Sequence, residues 1–84
     1  MHTIFLDGRQ YSSSLALHRA LSRLLSLPEY YGCNADALND CLSERPETVS
    51  IWILSPGEGE VADALSLIAE VVRANGGSVK ELRS

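Results

Sequence analysis

Asp36 and Asp40 stand four residues apart in the run Leu27 to Leu42, LPEYYGCNADALNDCL, and on a helix that spacing points both carboxylates out on one side. Two acids so placed can work as an acid and base pair where a pocket separates their pKa values. On a convex, exposed helix they make an anionic display instead. Repulsion at this spacing costs an isolated helix roughly 0.2–0.5 kcal/mol. Asp36, in the first turn, is favoured by the helix dipole, whereas Asp40 is nearer the unfavourable end. Alone, such a pair can equally be a solvated face, but its neighbours say more. Tyr30 and Tyr31 precede it, and Gly32 lets the chain turn sharply into the helix. Tyrosine is favoured at the centres of interfaces, and a desolvated carboxylate needs a cationic partner. The stretch therefore reads as a docking surface for something basic.

The elements that hold these residues are set by periodicity and stop signals. Asn34 can cap a helix by accepting a backbone N–H two or three residues on, so the second helix should run from about Ala35 to Leu42 or Ser43. Leu38, Cys41 and Leu42 form its apolar stripe, and Asn39 and Ser43 lie beside the acids. Before it, Thr3 to Leu6 reads as a strand ended by Asp7-Gly8. Ser12, Ser13 and Ser14 offer caps for a helix whose apolar face is Leu17, Leu21, Leu24 and Leu25, with Arg19 and Arg23 on the wet side. Pro28 forces Leu27 out of that helix. After Arg45-Pro46-Glu47, the run VSIWIL from Val49 to Leu54 is a strand covered on both sides or central in a small sheet, with Trp52 in the core or partly buried under a loop. Pro56-Gly57 turns the chain into a third helix faced by Val61, Leu65, Ile68, Ala69 and Val72. Asn75-Gly76-Gly77 stops it, and Ser78 to Arg83 reads as an edge strand. Strand, helix pair, strand, helix, strand with right-handed crossovers gives an α/β two-layer sandwich, a three-stranded parallel sheet with the helices packed on one face.

Eighty-four residues make a single domain, 1–84, with a thin core. The net charge of −4 is concentrated: Glu29, Asp36, Asp40, Glu44 and Glu47 are opposed in that segment only by Arg45. Such a field repels nucleic acid and suits a positively charged protein surface. No run of about 18 apolar residues is present to cross a membrane, and the start lacks a basic and then long apolar leader. A cytoplasmic protein is expected. Cys33 and Cys41, about 12 Å apart if both lie along one helix, are too far apart to bridge, which fits reduced thiols. Cys41 reads as a small core residue and Cys33 as exposed. His2 and His18 read as surface residues, and neither cysteine has the spacing of a metal site.

The segments Leu27-Pro28-Glu29-Tyr30-Tyr31-Gly32, Asn34, Asp36-Ala37-Leu38 and Asp40-Cys41-Leu42 together resemble the signature of the barstar-like family of intracellular ribonuclease inhibitors. The resemblance is dense over these sixteen residues, and the order of helices and strands on either side agrees with it. It implies a one-to-one inhibitor of a microbial guanyl-specific ribonuclease, barnase-like or related, that is not an enzyme and carries no cofactor or metal. Carried over residue by residue, Asp40 takes a phosphate's place among basic side chains and Asp36 is a second acid there. Tyr30 and Asn34 flank them, and Ala35, Asn39, Ser43 and Glu44 complete the partner-binding face. The chain also departs from the family pattern. Asn39 stands where a tryptophan is expected, Arg45 near another aromatic position, and Val71 in place of a glutamate with Glu70 adjacent. These changes put barnase itself in doubt as the cognate enzyme. An immunity or regulatory module that uses the same acidic helix on a basic protein other than a ribonuclease is the alternative, and an enzyme using the two acids is the third reading.

Overall fold

The computed structural model describes residues 2–82. In chain order the elements are β1 (His2–Asp7), α1 (Ser14–Leu24), α2 (Ala35–Ser43), β2 (Val49–Ser55), α3 (Gly59–Ala74) and β3 (Ser78–Glu81), with one 3-10 turn at Gly8–Gln10. The strands are all parallel in the order β1-β2-β3. Ile4 is in register with Ile51 and Phe5 with Trp52, while Ile51 and Trp52 meet Val79 and Lys80 on the other side. This is the expected two-layer α/β sandwich with β2 in the middle. The expected edge strand ends at Glu81, with Leu82 beyond it and Arg83 outside the described residues.

Alternation along the strands decides the layers. Ile4, Leu6, Val49, Ile51 and Ile53 turn one way and are buried, while Phe5 and Leu54 turn the other way and are exposed. The buried row meets Leu17, Leu21 and Leu25 of the α1 region, Leu38 and Leu42 of α2, and Val61, Leu65, Ile68 and Val72 of α3 in one continuous core. Both α1 and α2 pack against α3. β2 is therefore central, as expected, but covered on one face only. Trp52 is correspondingly half-buried on the open face of the sheet and not in the core. There it lies 6.4 Å from the Phe5 ring, with the Lys80 ammonium 5.1 Å over it.

Two expectations about α1 need correction. His18 is 5% exposed, a buried residue and not a surface one. Leu24, counted as core, closes the helix and is exposed, and Leu25 takes the buried place as the chain reverses. The buried positions of this stretch are thus 17, 18, 20, 21 and 25, with His18 among them. Ser13, of the three serines, supplies the α1 cap, accepting from the Ala16 N–H at 3.1 Å. The turns that follow β1 and β2 pack so closely that a Cβ on Gly8 would fall 2.6 Å from the backbone nitrogen of Gly57, which restricts position 8 to glycine.

Candidate functional site

A nine-residue helix is marginal in water, so α2 must be held by what surrounds it. Its apolar side is anchored by Leu38, fully buried, and Leu42, almost so. Its first turn is capped as the sequence predicts: Asn34 Oδ1 accepts from the Ala37 N–H at 2.8 Å, and Asn34 Nδ2 donates to the Gly32 carbonyl at 3.2 Å. Near its other end Ser43 Oγ donates to the Asp40 carbonyl at 2.9 Å. A third tie runs sideways to α3, where Asn75 Nδ2 donates to Asn39 Oδ1 at 2.9 Å and to the Val71 carbonyl at 2.8 Å. The helix is thereby held at its start by the cap and at its middle by α3, while the Ser43 bond is internal to it.

The loop before it is fixed as firmly. α1 ends in a Schellman motif, with Leu27 N–H on the Ser22 carbonyl at 2.9 Å, Ser26 N–H on the Arg23 carbonyl at 3.4 Å, and Ser26 in the left-handed region at φ 53°. Arg45, just past α2, donates from Nη1 to the Leu25 carbonyl at 2.6 Å and so ties the exit of one helix to the exit of the other. At the far end of the loop Cys33 adopts φ 54° immediately before the cap. Ser26 and Cys33 are the only non-glycine residues with positive φ among those described, and they bracket this one loop. Such conformations cost of order 1 kcal/mol or more and persist only where the surroundings enforce them.

Tyr30 and Tyr31 have opposite fates. Tyr30 is 79% exposed, whereas Tyr31 is in the core with its hydroxyl 2.6 Å from His18 Nδ1. Burial raises the phenol pKa of Tyr31 and lowers the imidazole pKa of His18. Asp36 and Asp40 are both exposed, and among the described residues neither side chain accepts a hydrogen bond or enters an ion pair. Among the described residues Arg9 pairs with Asp7 at 3.2 Å, just after β1. Glu29 and Glu44 are exposed to either side of the acids. On the far side of the loop Arg19, Ser22, Arg23, Glu29 and Cys33 line a shallow groove of about 540 Å³, so the arginines border the acidic surface. No three His, Cys, Asp or Glu side chains among the described residues gather as metal ligands would.

The model of one protein family, Barstar (barnase inhibitor), matches residues 1–78 of this chain. The chain belongs to the barstar family. A Bacillus subtilis (strain 168) protein named "Putative ribonuclease inhibitor YrdF" is 46% identical over 43 residues, which are 51% of this chain and 47% of that one. The chain thus matches about half the length of this curated relative.

Within this barstar-family fold, the eight residues singled out from the sequence divide by what their side chains do. Tyr30, Asp36, Asp40 and Glu44 are exposed side chains on or beside α2, and Ala35 is half-buried at its first turn. Asn34, Asn39 and Ser43 are exposed as well, but their polar atoms hold the helix: the cap, the tie to Asn75 and the bond to the Asp40 carbonyl. Cys41 is half-buried against the core, with its thiol pKa raised by burial and by the negative charges of Glu44 and Asp40. Cys33, expected to be exposed, is half-buried, and both cysteines are free. Sequence reasoning missed His18, Tyr31 as a core residue, and Arg45 as a tie. For His18 a signal existed, since it lies at i to Leu21 and Leu25 at i+3 and i+7.

Proposed function

We propose that this barstar-family protein is a stoichiometric inhibitor of a microbial guanyl-specific ribonuclease, and that it works by pushing α2 into the enzyme's active site. The observation that carries the reading is that Asp36 and Asp40 stand exposed and unneutralised on a helix whose start and one side are tied down. A ribonuclease site is built to hold phosphates with cationic side chains. A carboxylate presented there can accept several charge-assisted hydrogen bonds in a phosphate's stead. Because the helix is already ordered, little conformational entropy remains to be lost on binding.

In this reading Asp40 occupies the phosphate place and Asp36 faces further basic side chains. Tyr30, with Ala35, Glu44 and the outer edges of Asn34, Asn39 and Ser43, forms the surround. Opposite fields steer the encounter, so association is fast and slows with salt. The protein acts in the cytoplasm of the cell that makes the enzyme, performs no catalysis, and binds one ribonuclease per chain. Asn39, in place of a tryptophan and already tied to Asn75, offers less apolar contact than the family pattern, which favours a ribonuclease with a different rim from barnase.

Titration of an RNA cleavage assay tests the proposal. Barnase and related guanyl-specific ribonucleases are mixed with rising amounts of the protein. At least one should lose activity with a sharp endpoint at one to one. Full activity of every enzyme at large excess of the protein would reject the reading.

A further inference from the structure

The inhibitor surface described above does not itself use His18, whose imidazole has a specific buried partner. His18 comes from α1, thirteen residues before its partner, and is buried with Nδ1 2.6 Å from the Tyr31 hydroxyl and the two rings 5.9 Å apart. Burial favours the neutral phenol and the neutral imidazole, and the two share one hydrogen bond whose donor is set by the imidazole tautomer.

The loop from Leu25 to Asn34 contains no helix or strand. Its start is held by the Schellman bonds and by Arg45 on the Leu25 carbonyl, and its middle by the Tyr31 N–H on the Pro28 carbonyl at 3.0 Å. At its far end, the tie that reaches in from another helix is the bond from His18. That bond acts one residue from exposed Tyr30 and three from the Asn34 cap. Fixing the Tyr31 ring fixes the peptide that orients Tyr30, and holds the strained Cys33 in the conformation that starts α2.

We propose that His18 is a positioning residue for ribonuclease binding, acting through the Tyr31 hydroxyl to hold the loop that presents Tyr30 and the start of α2. The inference rests on the inhibitor reading. It assigns His18 an effect on affinity although the residue touches no partner.

Four proteins test it with barnase, or with whichever guanyl-specific ribonuclease the titration identifies: the natural chain, Tyr31→Phe, His18→Gln and His18→Asn. An asparagine carbonyl reaches the place of Nδ1, whereas a glutamine amide reaches the place of Nε2. Tyr31→Phe and His18→Gln should each weaken binding about tenfold, the equivalent of one neutral hydrogen bond. His18→Asn should stay within about threefold of the natural chain. Amide exchange of residues 29–34 should quicken in the first two variants and not in the third. A role limited to filling the core would lower the urea midpoint of both His18 variants alike and leave the affinity of the folded protein unchanged. Should Tyr31→Phe fail to fold, the two His18 variants carry the comparison. Equal affinities for the natural chain and Tyr31→Phe, or equal weakening by His18→Gln and His18→Asn, would overturn the inference and leave the inhibitor reading standing. Failure of the natural chain to bind any of the ribonucleases would overturn both.

Discussion

Two surfaces of this molecule are exposed, and they are finished in opposite ways. On the open side of the sheet Phe5, Trp52, Leu54 and Lys80 lie together, and the Lys80 ammonium rests over the Trp52 ring. On the α2 side the order is reversed. There the backbone and the supporting side chains are fully engaged, while Asp36 and Asp40 are left without partners among the described residues. Leaving charge unanswered on a rigid support lowers what a partner must overcome to use it, because neither an internal ion pair nor a floppy helix has to be given up first. The sheet face is more apolar, and Lys80 on it already rests on an aromatic ring. Exposure alone does not mark a binding surface; exposure on a fixed scaffold does so more strongly.

Substitutions on the two faces should separate sharply. The largest effect expected is for Asp40→Ala, at about 4 kcal/mol or more, roughly a thousandfold in ribonuclease affinity, a size carried over from the hot-spot acids of the barnase–barstar pair. Glu44→Ala, at the rim, should cost under about 1 kcal/mol by the same titration. Equal losses for the two would end the plug model. Asn34→Ala removes the α2 cap and should lower stability by about 1 kcal/mol, read from the urea midpoint. It should weaken binding as well, since the acids ride on that helix. Lowering the pH should act through His18. Burial lowers its folded pKa below the ordinary 6.5, so the unfolded chain takes up the proton first. Stability attributable to His18 is therefore complete above about pH 6.5 and lost as the pH falls from there toward the folded value. Urea midpoints at several pH values should show that slope in the natural chain and less of it in His18→Gln. The smallest effect belongs to the sheet face: Lys80→Ala should change stability by about 0.5–1 kcal/mol and ribonuclease affinity not at all. A tenfold loss of affinity there would move the binding surface to the wrong side.

The elements were legible in the sequence because each is enforced locally. The α2 limits follow from Asn34 and Pro46, the α3 stop from Asn75-Gly76-Gly77, and the central place of β2 from an almost unbroken apolar run. The display of Asp36 and Asp40 followed from helical spacing alone. What stayed hidden depends on contacts between residues distant in the chain. Nothing in Tyr30-Tyr31 says which ring goes in, since that choice is made by His18 on another helix. The left-handed backbone of Ser26 and Cys33 occurs at residues with no special preference for it, and is imposed by the Schellman turn and the α2 cap. The sequence marks Arg45 as the one base of the acidic segment, but its bond to the Leu25 carbonyl across the two helices depends on a residue twenty positions away. The face on which Trp52 lies is not legible, because an unbroken apolar run suits both a strand covered twice and a central strand with one open face.

Competition with a nucleotide addresses the central claim most directly. Affinity of the protein for the inhibited ribonuclease is measured in rising concentrations of guanosine monophosphate, which occupies the enzyme's phosphate site. If α2 takes that site, the apparent Kd rises in proportion to nucleotide once the site is filled. An apparent Kd unchanged at saturating nucleotide would show that Asp36 and Asp40 act elsewhere.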